Sequence, residues 1–213
     1  MIKANATLVW DLPLRLWHWA FALAIAGSLW TGLSGEISLI DLHQRFGYCL
    51  LGLLLFRLAW ALWGGRYARY KHYRLSPTGI WAHLRGMGAA TPHTAPGAAI
   101  AVAFFVLVLF QVGTGLFATD DIFTEGPLTG YVDRAAARSL TWLHHRIFWL
   151  LLAAVAVHLA AHATYALRRD ATPLAMFTGR KHVDVAPTAQ RLVLGAVTAG
   201  AAAALVWAFL ALA

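Results

Sequence analysis

Charge is what this sequence has least of. Only 12% of its 213 residues are Asp, Glu, Lys or Arg, about half the fraction of a soluble domain. With 60% hydrophobic residues and a mean hydropathy of +0.63, this excludes an ordinary soluble domain and predicts an integral membrane protein. Cysteine is scarcer still. Cys49 stands alone, so a disulfide within the chain is excluded, and with it Cys-based zinc and iron–sulfur sites. No C-x-x-C-H occurs, which excludes covalent attachment of a c-type haem. Cys49 lies in an apolar run and is expected to be a small packing residue. The first apolar run is too long for a cleavable signal peptide and lacks a clear small-residue cleavage site, so it is expected to be a mature span.

What is present is long and oily. A helix needs about 20 apolar residues to cross a hydrocarbon core of about 30 Å. Five segments qualify, at about 12–33, 42–63, 98–118, 140–167 and 192–212. Basic residues orient them. Lys3 precedes the first span. Arg66, Arg69, Lys71, Arg74 and Arg85 lie between the second and third, and Arg168, Arg169, Arg180, Lys181 and Arg191 between the fourth and fifth. The other two loops hold only Arg134 and Arg138, against Glu36, Asp41, Asp120, Asp121, Glu125 and Asp133. The N-terminus is therefore expected in the cytoplasm and the C-terminus outside. Much of the net charge of +8 is a topology signal, and no nucleic-acid partner is implied. In the inner loop, Ser76-Pro77 predicts a short helix with Ser as N-cap and Pro at its first position, and Trp81, Leu84 and Arg85 suit the membrane interface. The outer loop, 119–139, is polar and suits a docking surface or substrate entrance. No internal repeat is visible.

Histidine in an apolar span is costly and points to function. The stretch LHHRIFWLLLAAVAVHLAAH, residues 143–162, carries four of them. His144 and His158 are 14 residues apart, which puts them within about 40° of one helix face and about 21 Å apart along the axis. By depth, His43 can face His144 on the outer side and His18 can face His158 on the inner side. Two neutral imidazoles approaching from opposite sides are what a six-coordinate haem iron takes from its protein. Gly47, one turn after His43, would let a flat macrocycle lie against backbone, and Gly113 and Gly115 could do the same. Haem propionates attract arginine: Arg15 and Arg57 lie toward the inner pair, Arg45 and Arg146 toward the outer one. His145 and His162 are expected to bond backbone, a propionate or a quinone rather than iron. His72, His83, His93 and His182 are expected to be solvated. The Ala-rich fifth span, with Gly195, Ala199 and Gly200, reads as a packing helix with small-residue contacts.

PLRLWHW in the first span, LHQRFGY in the second, TGL in the third, HHRIFWLLLAAVAVH in the fourth and TGRK after it together resemble the prokaryotic cytochrome b-561 family, which includes the cytochrome b subunits of nickel–iron hydrogenases. The likeness covers about residues 8–182. It implies an all-α membrane protein: a four-helix transmembrane bundle binding two b haems in residues 1–182, with the fifth, C-terminal transmembrane helix in 183–213 as an addition. The implied ligands are His18, His43, His144 and His158, the same four that depth and phase select. The implied activity is electron transfer in the bacterial inner membrane between quinone and a c-type cytochrome, a dehydrogenase or a hydrogenase. One branch of the family instead oxidises superoxide and reduces quinone. Acidic outer loops suit a basic cytochrome c better than the superoxide anion. A histidine-rich transporter would place its ionisable groups near the midplane of a repeat interface, which this pattern does not. PHTAPGAA before the third span departs from the family's usual turn there.

Overall fold

The structure is a computed structural model and describes residues 6–73, 75–87, 91–170 and 172–213. Lys3 and Arg74, two of the cations used for topology, lie outside the described residues. The fold class is all-α, as expected. Its helices are α1 (Leu12–Ser34), α2 (Ile40–Trp63), α3 (Pro77–Leu84), α4 (Ala95–Gly115), α5 (Arg134–Leu167), α6 (Ala175–Thr178) and α7 (Leu192–Leu212). Two short strands, β1 (Ala6–Leu8) and β2 (Arg180–His182), pair antiparallel with Ala6 opposite His182.

Local chemistry sets the helix starts. Asp11 accepts the Leu14 backbone N–H at 2.9 Å, and Pro13 sits in the first turn, where a missing N–H costs no helical bond. α3 starts as its sequence predicts: the Ser76 hydroxyl accepts the Gly79 N–H at 3.1 Å, and Pro77 opens the helix. On α3 the Arg85 guanidinium lies 4.6 Å over the exposed Trp81 ring.

Among the described residues, four helical segments are long and apolar enough to cross a membrane: Ile37–Trp63, Ala95–Gly115, Arg134–Leu167 and Leu192–Leu212. α1, with 23 residues, has the length but not the apolarity. Arg15, His18 and three tryptophans lower its mean. The expected count of five spans thus stands at four by composition.

The chain forms two compact units: residues 1–18, 57–103 and 154–198 in one, and 19–56, 104–153 and 199–213 in the other. Each long helix contributes to both. In the first unit, Val9, Trp60 and Ala98 are fully covered. Trp60 donates its indole N–H to Asp11 at 2.9 Å. The TGRK turn belongs here. Gly179 has φ of +76°, and its carbonyl accepts the N–H groups of both Val9 and Trp10 at 2.8 and 3.0 Å. A side chain at Gly179 would lie 2.8 Å from the Trp10 carbonyl, so the close crossing requires glycine. α7 packs on this unit through Gly195, whose Cβ would fall 2.6 Å from Pro13, and through Thr198, which accepts the Trp63 indole N–H at 3.1 Å. Gly200 meets nothing within 4 Å, so of the two glycines expected to pack it is Gly195 that makes the close contact. In the second unit Leu54, Val108 and Leu151 are buried, and the Phe46 ring occupies the space that a side chain at Gly27 would need.

Candidate haem centres

The four histidines selected by depth and helical phase come together as two pairs, each inside one unit. The His43 and His144 ring centroids are 6.2 Å apart, and those of His18 and His158 are 6.4 Å apart. A metal–imidazole bond is about 2.0 Å, and a ring nitrogen lies about 1.1 Å from its centroid, so two imidazoles opposed across one metal hold centroids about 6.2 Å apart. Both pairs have that spacing. Among the described residues no three His, Cys, Asp or Glu side chains converge to hold a bare ion. The pairs suit an ion whose other ligands arrive with it, as iron's do in a porphyrin.

The His43–His144 pair shows how each ring is aimed. His43 Nδ1 lies 3.0 Å from the Ser28 carbonyl oxygen and 3.1 Å from the Thr31 hydroxyl. A carbonyl only accepts, so Nδ1 carries the proton and donates. The Thr31 hydroxyl spends its own proton on the Gly27 carbonyl at 2.8 Å, leaving a lone pair for the same Nδ1–H. Gly32 finishes the clamp: a Cβ there would come within 3.1 Å of His43 Cε1. His144 repeats this on α4. Its Nδ1 lies 2.9 Å from the Gln111 carbonyl and 3.3 Å from the Thr114 hydroxyl. Thr114 bonds the Phe110 carbonyl at 2.7 Å, and a Cβ on Gly115 would fall 3.0 Å from His144 Cε1. SLWTGL and QVGTGL therefore do the same work at the same offsets, each for the histidine on the next long helix. Both rings are fixed in the tautomer whose Nε2 bears a lone pair, the arrangement metal-binding histidines use. On His144 that lone pair meets the Gln111 side-chain amide nitrogen at 3.2 Å.

A family model described as prokaryotic cytochrome b561 matches residues 9–179. The chain belongs to the prokaryotic cytochrome b561 family. No curated protein and no solved structure matches it. Family and apolar helices together make this a multi-pass membrane cytochrome of the b type that takes part in electron transfer. The family implies haem b.

The other residues expected at the site sort by unit. Arg57 is 3% exposed and lies in an aromatic cage. Its guanidinium is 4.6 Å from the Tyr70 ring and 5.6 Å from Trp17, and donates to the Tyr73 hydroxyl at 2.7 Å. Its Nη1 is buried without a hydrogen-bond partner. Arg15 donates to the Phe177 carbonyl, and its Nε is likewise buried without a partner. Leaving a buried cationic N–H unpaired is costly, and both atoms suit an anionic propionate in the unit that holds His18 and His158. Arg45 and Arg146 are exposed, and Arg146 stacks 5.2 Å over Trp142. Gly47 and Gly113 would each add a Cβ into open space. That fits a face left for a flat macrocycle. Gly115 differs from that expectation, because His144 fills its missing side chain. His145 is exposed, 6.1 Å from His144, and His162 meets His158 edge to face at 4.5 Å.

Two expectations fail. Cys49 is exposed on α2 rather than packed. His93 is not solvated. Its Nε2–H donates to the Tyr67 carbonyl at 2.7 Å, and its ring sits 4.1 Å from Tyr73 and 4.6 Å from Trp10. Burial pushes its pKa down to about 4, and the Arg57 and Lys181 charges act the same way. His83 is also engaged, with Nε2 2.9 Å from the Tyr165 hydroxyl. Sequence reasoning missed Ser28, Thr31 and Gly32 entirely. Their signal was the second TGL, at 31–33.

Proposed function

We propose that this cytochrome binds two b haems in series and passes electrons between the membrane quinone pool and a redox partner. His43 and His144 would hold one iron, and His18 and His158 the other. The observation that carries this reading is the pair of matched clamps on His43 and His144, with opposed rings at 6.2 Å. When bound, the haems supply the one-electron carriers. The chain's own residues do the rest. The Thr-Gly clamps orient the imidazoles and keep Nε2 deprotonated. The open faces at Gly47 and Gly113 admit the macrocycle. Arg15 and Arg57 offer buried N–H groups to propionates, and their charge favours the reduced iron's electron. α5 is one unbroken helix carrying a ligand to each haem, about 21 Å of rise between them.

We read residues 1–182 as the haem-carrying core and 183–213 as an added helix, supported by a family match that ends at 179. We also read α1 as a fifth span, with the N-terminus cytoplasmic and the C-terminus periplasmic in the bacterial inner membrane. The partner would dock on the 119–133 segment. Three backbone N–H groups donate to Asp120 and hold its pKa down, and Ile122 and Phe123 beside it are 75% and 76% exposed. An acidic rim around an apolar tip suits a basic partner such as a c-type cytochrome. The reading is tested on purified protein: a haemochrome assay should give two haem b per chain, and the reduced form should be reoxidised by a short-chain quinone. A protein without a reduced haem band overturns it.

A further inference from the structure

Where α2 ends and α7 begins, basic side chains converge on one cleft of about 400 Å³. Arg66, Arg69, Lys71, His72 and Arg191 line it, and no carboxylate does. The backbone beneath it is locked. The Arg66 N–H donates to the Thr188 hydroxyl at 2.9 Å, and the Tyr67 hydroxyl to the Ala186 carbonyl at 2.7 Å. Arg191 has φ of 48°, a left-handed turn that brings its guanidinium back over α2.

Part of this charge has a structural use. Arg191 donates to the Trp63 carbonyl at 3.1 Å and Arg69 to the Gly64 carbonyl at 3.0 Å, where the end of α2 is electronegative. That use accounts for neither Arg66 nor Lys71, both exposed. A topology signal needs a count of cations in a loop, but no convergence on a cleft. The field in the cleft is felt by His72, whose pKa is lowered by burial and then by Lys71, Arg66 and Arg69. The helix ends that adjoin the lining residues in the chain carry exposed apolar side chains: Leu62 is 71% exposed on α2, and Val193 and Val197 are 80% and 63% exposed on α7. Both helices are long and apolar enough to cross a membrane. The ligand must therefore be anionic at one end and oily at the other.

We propose that this cleft binds the phosphodiester headgroup of an anionic phospholipid, whose acyl chains lie along the exposed apolar ends of α2 and α7. Basic pockets beside transmembrane helices recognise such headgroups. The assignment is independent of haem content and of the direction of electron flow.

The test uses haem-loaded protein in detergent, titrated with phosphatidylglycerol, phosphatidylcholine or inorganic phosphate. Bound lipid is counted by native mass spectrometry and Tm is read in parallel. Phosphatidylglycerol should saturate at low stoichiometry and raise Tm, while phosphatidylcholine and millimolar phosphate do neither. The double variant Arg66→Gln/Lys71→Gln should bind phosphatidylglycerol about 30-fold more weakly. Arg168→Gln/Arg169→Gln, which removes exposed cations outside the cleft, should bind as the wild type does. Equal binding of the two lipids would overturn the proposal, as would a full Tm shift from phosphate alone. So would wild-type binding by the first double variant, or an equal loss in the second.

Discussion

Replacing Gly115 by Ala asks whether the clamp on His144 matters. The new Cβ would stand 3.0 Å from His144 Cε1 and 3.2 Å from its Nδ1. Carbon contacts are comfortable at about 3.5–4.0 Å, so the ring must retreat by about half an ångström. His144 Nδ1 is held at 2.9 Å to the Gln111 carbonyl, on the same helix as the intruding methyl. Retreat therefore stretches that bond toward the limit of a useful one, at a cost of about 1 kcal/mol. Disturbing the partners that orient a metal-ligating histidine costs about 10–100-fold in metal affinity. The G115A protein should lose much of one haem and keep the other, read as the haem-to-protein ratio of purified protein and by low-temperature spectra. G32A should do the same through His43, because its contact with that ring is nearly equal at 3.1 Å. G200A, whose Cβ meets nothing within 4 Å, is the control. Full haem content with an unchanged spectrum in both G115A and G32A would refute the reasoning, and so would an equal loss in G200A.

Three further outcomes are expected. Gly47→Val meets no protein atom within 4 Å at its Cβ, so the variant should accumulate in membranes normally while its haem-to-protein ratio falls; normal haem content would remove the macrocycle from that face. Arg57→Gln should lower the midpoint potential of one haem by an amount on the order of 1–2 kcal/mol, and Arg57→Lys should lower it less; redox titration reads both, and no shift would separate Arg57 from the haem. His93 should make stability depend on pH. Its folded pKa of about 4 lies below the unfolded value near 6.5, so its contribution is whole above pH 6.5 and is lost as pH falls to about 4, roughly 3 kcal/mol in all. Tm measured across that window should fall less steeply in His93→Gln; parallel curves would count against the burial argument.

Some of this was legible in the sequence because it depends on one helix at a time. α7 has the bounds its apolar run predicts, and Ser76-Pro77 starts α3 where capping chemistry puts it. Phase and rise put His144 and His158 on one helix face, and each does stand opposite its expected partner, His43 and His18. What depends on neighbouring helices was not legible. TGL at 114–116 stands out as a motif, but that Thr114-Gly115 and Thr31-Gly32 each clamp a histidine shows only once the following helix folds back on them. His93 sits in a polar-looking loop, yet Tyr67, Tyr73 and Trp10 close over it from distant parts of the chain. Cys49 shows the converse. An apolar setting makes burial the natural expectation, but in a membrane protein apolar residues also face outward.

The central claim is that two histidine pairs each carry one haem. Replacing His144 and His158 separately by Ala tests it most directly, with haem counted per chain and both potentials titrated. Each variant should retain one haem b, and the two retained haems should differ in midpoint potential. Two haems in either variant, or the same surviving haem in both, would contradict the account.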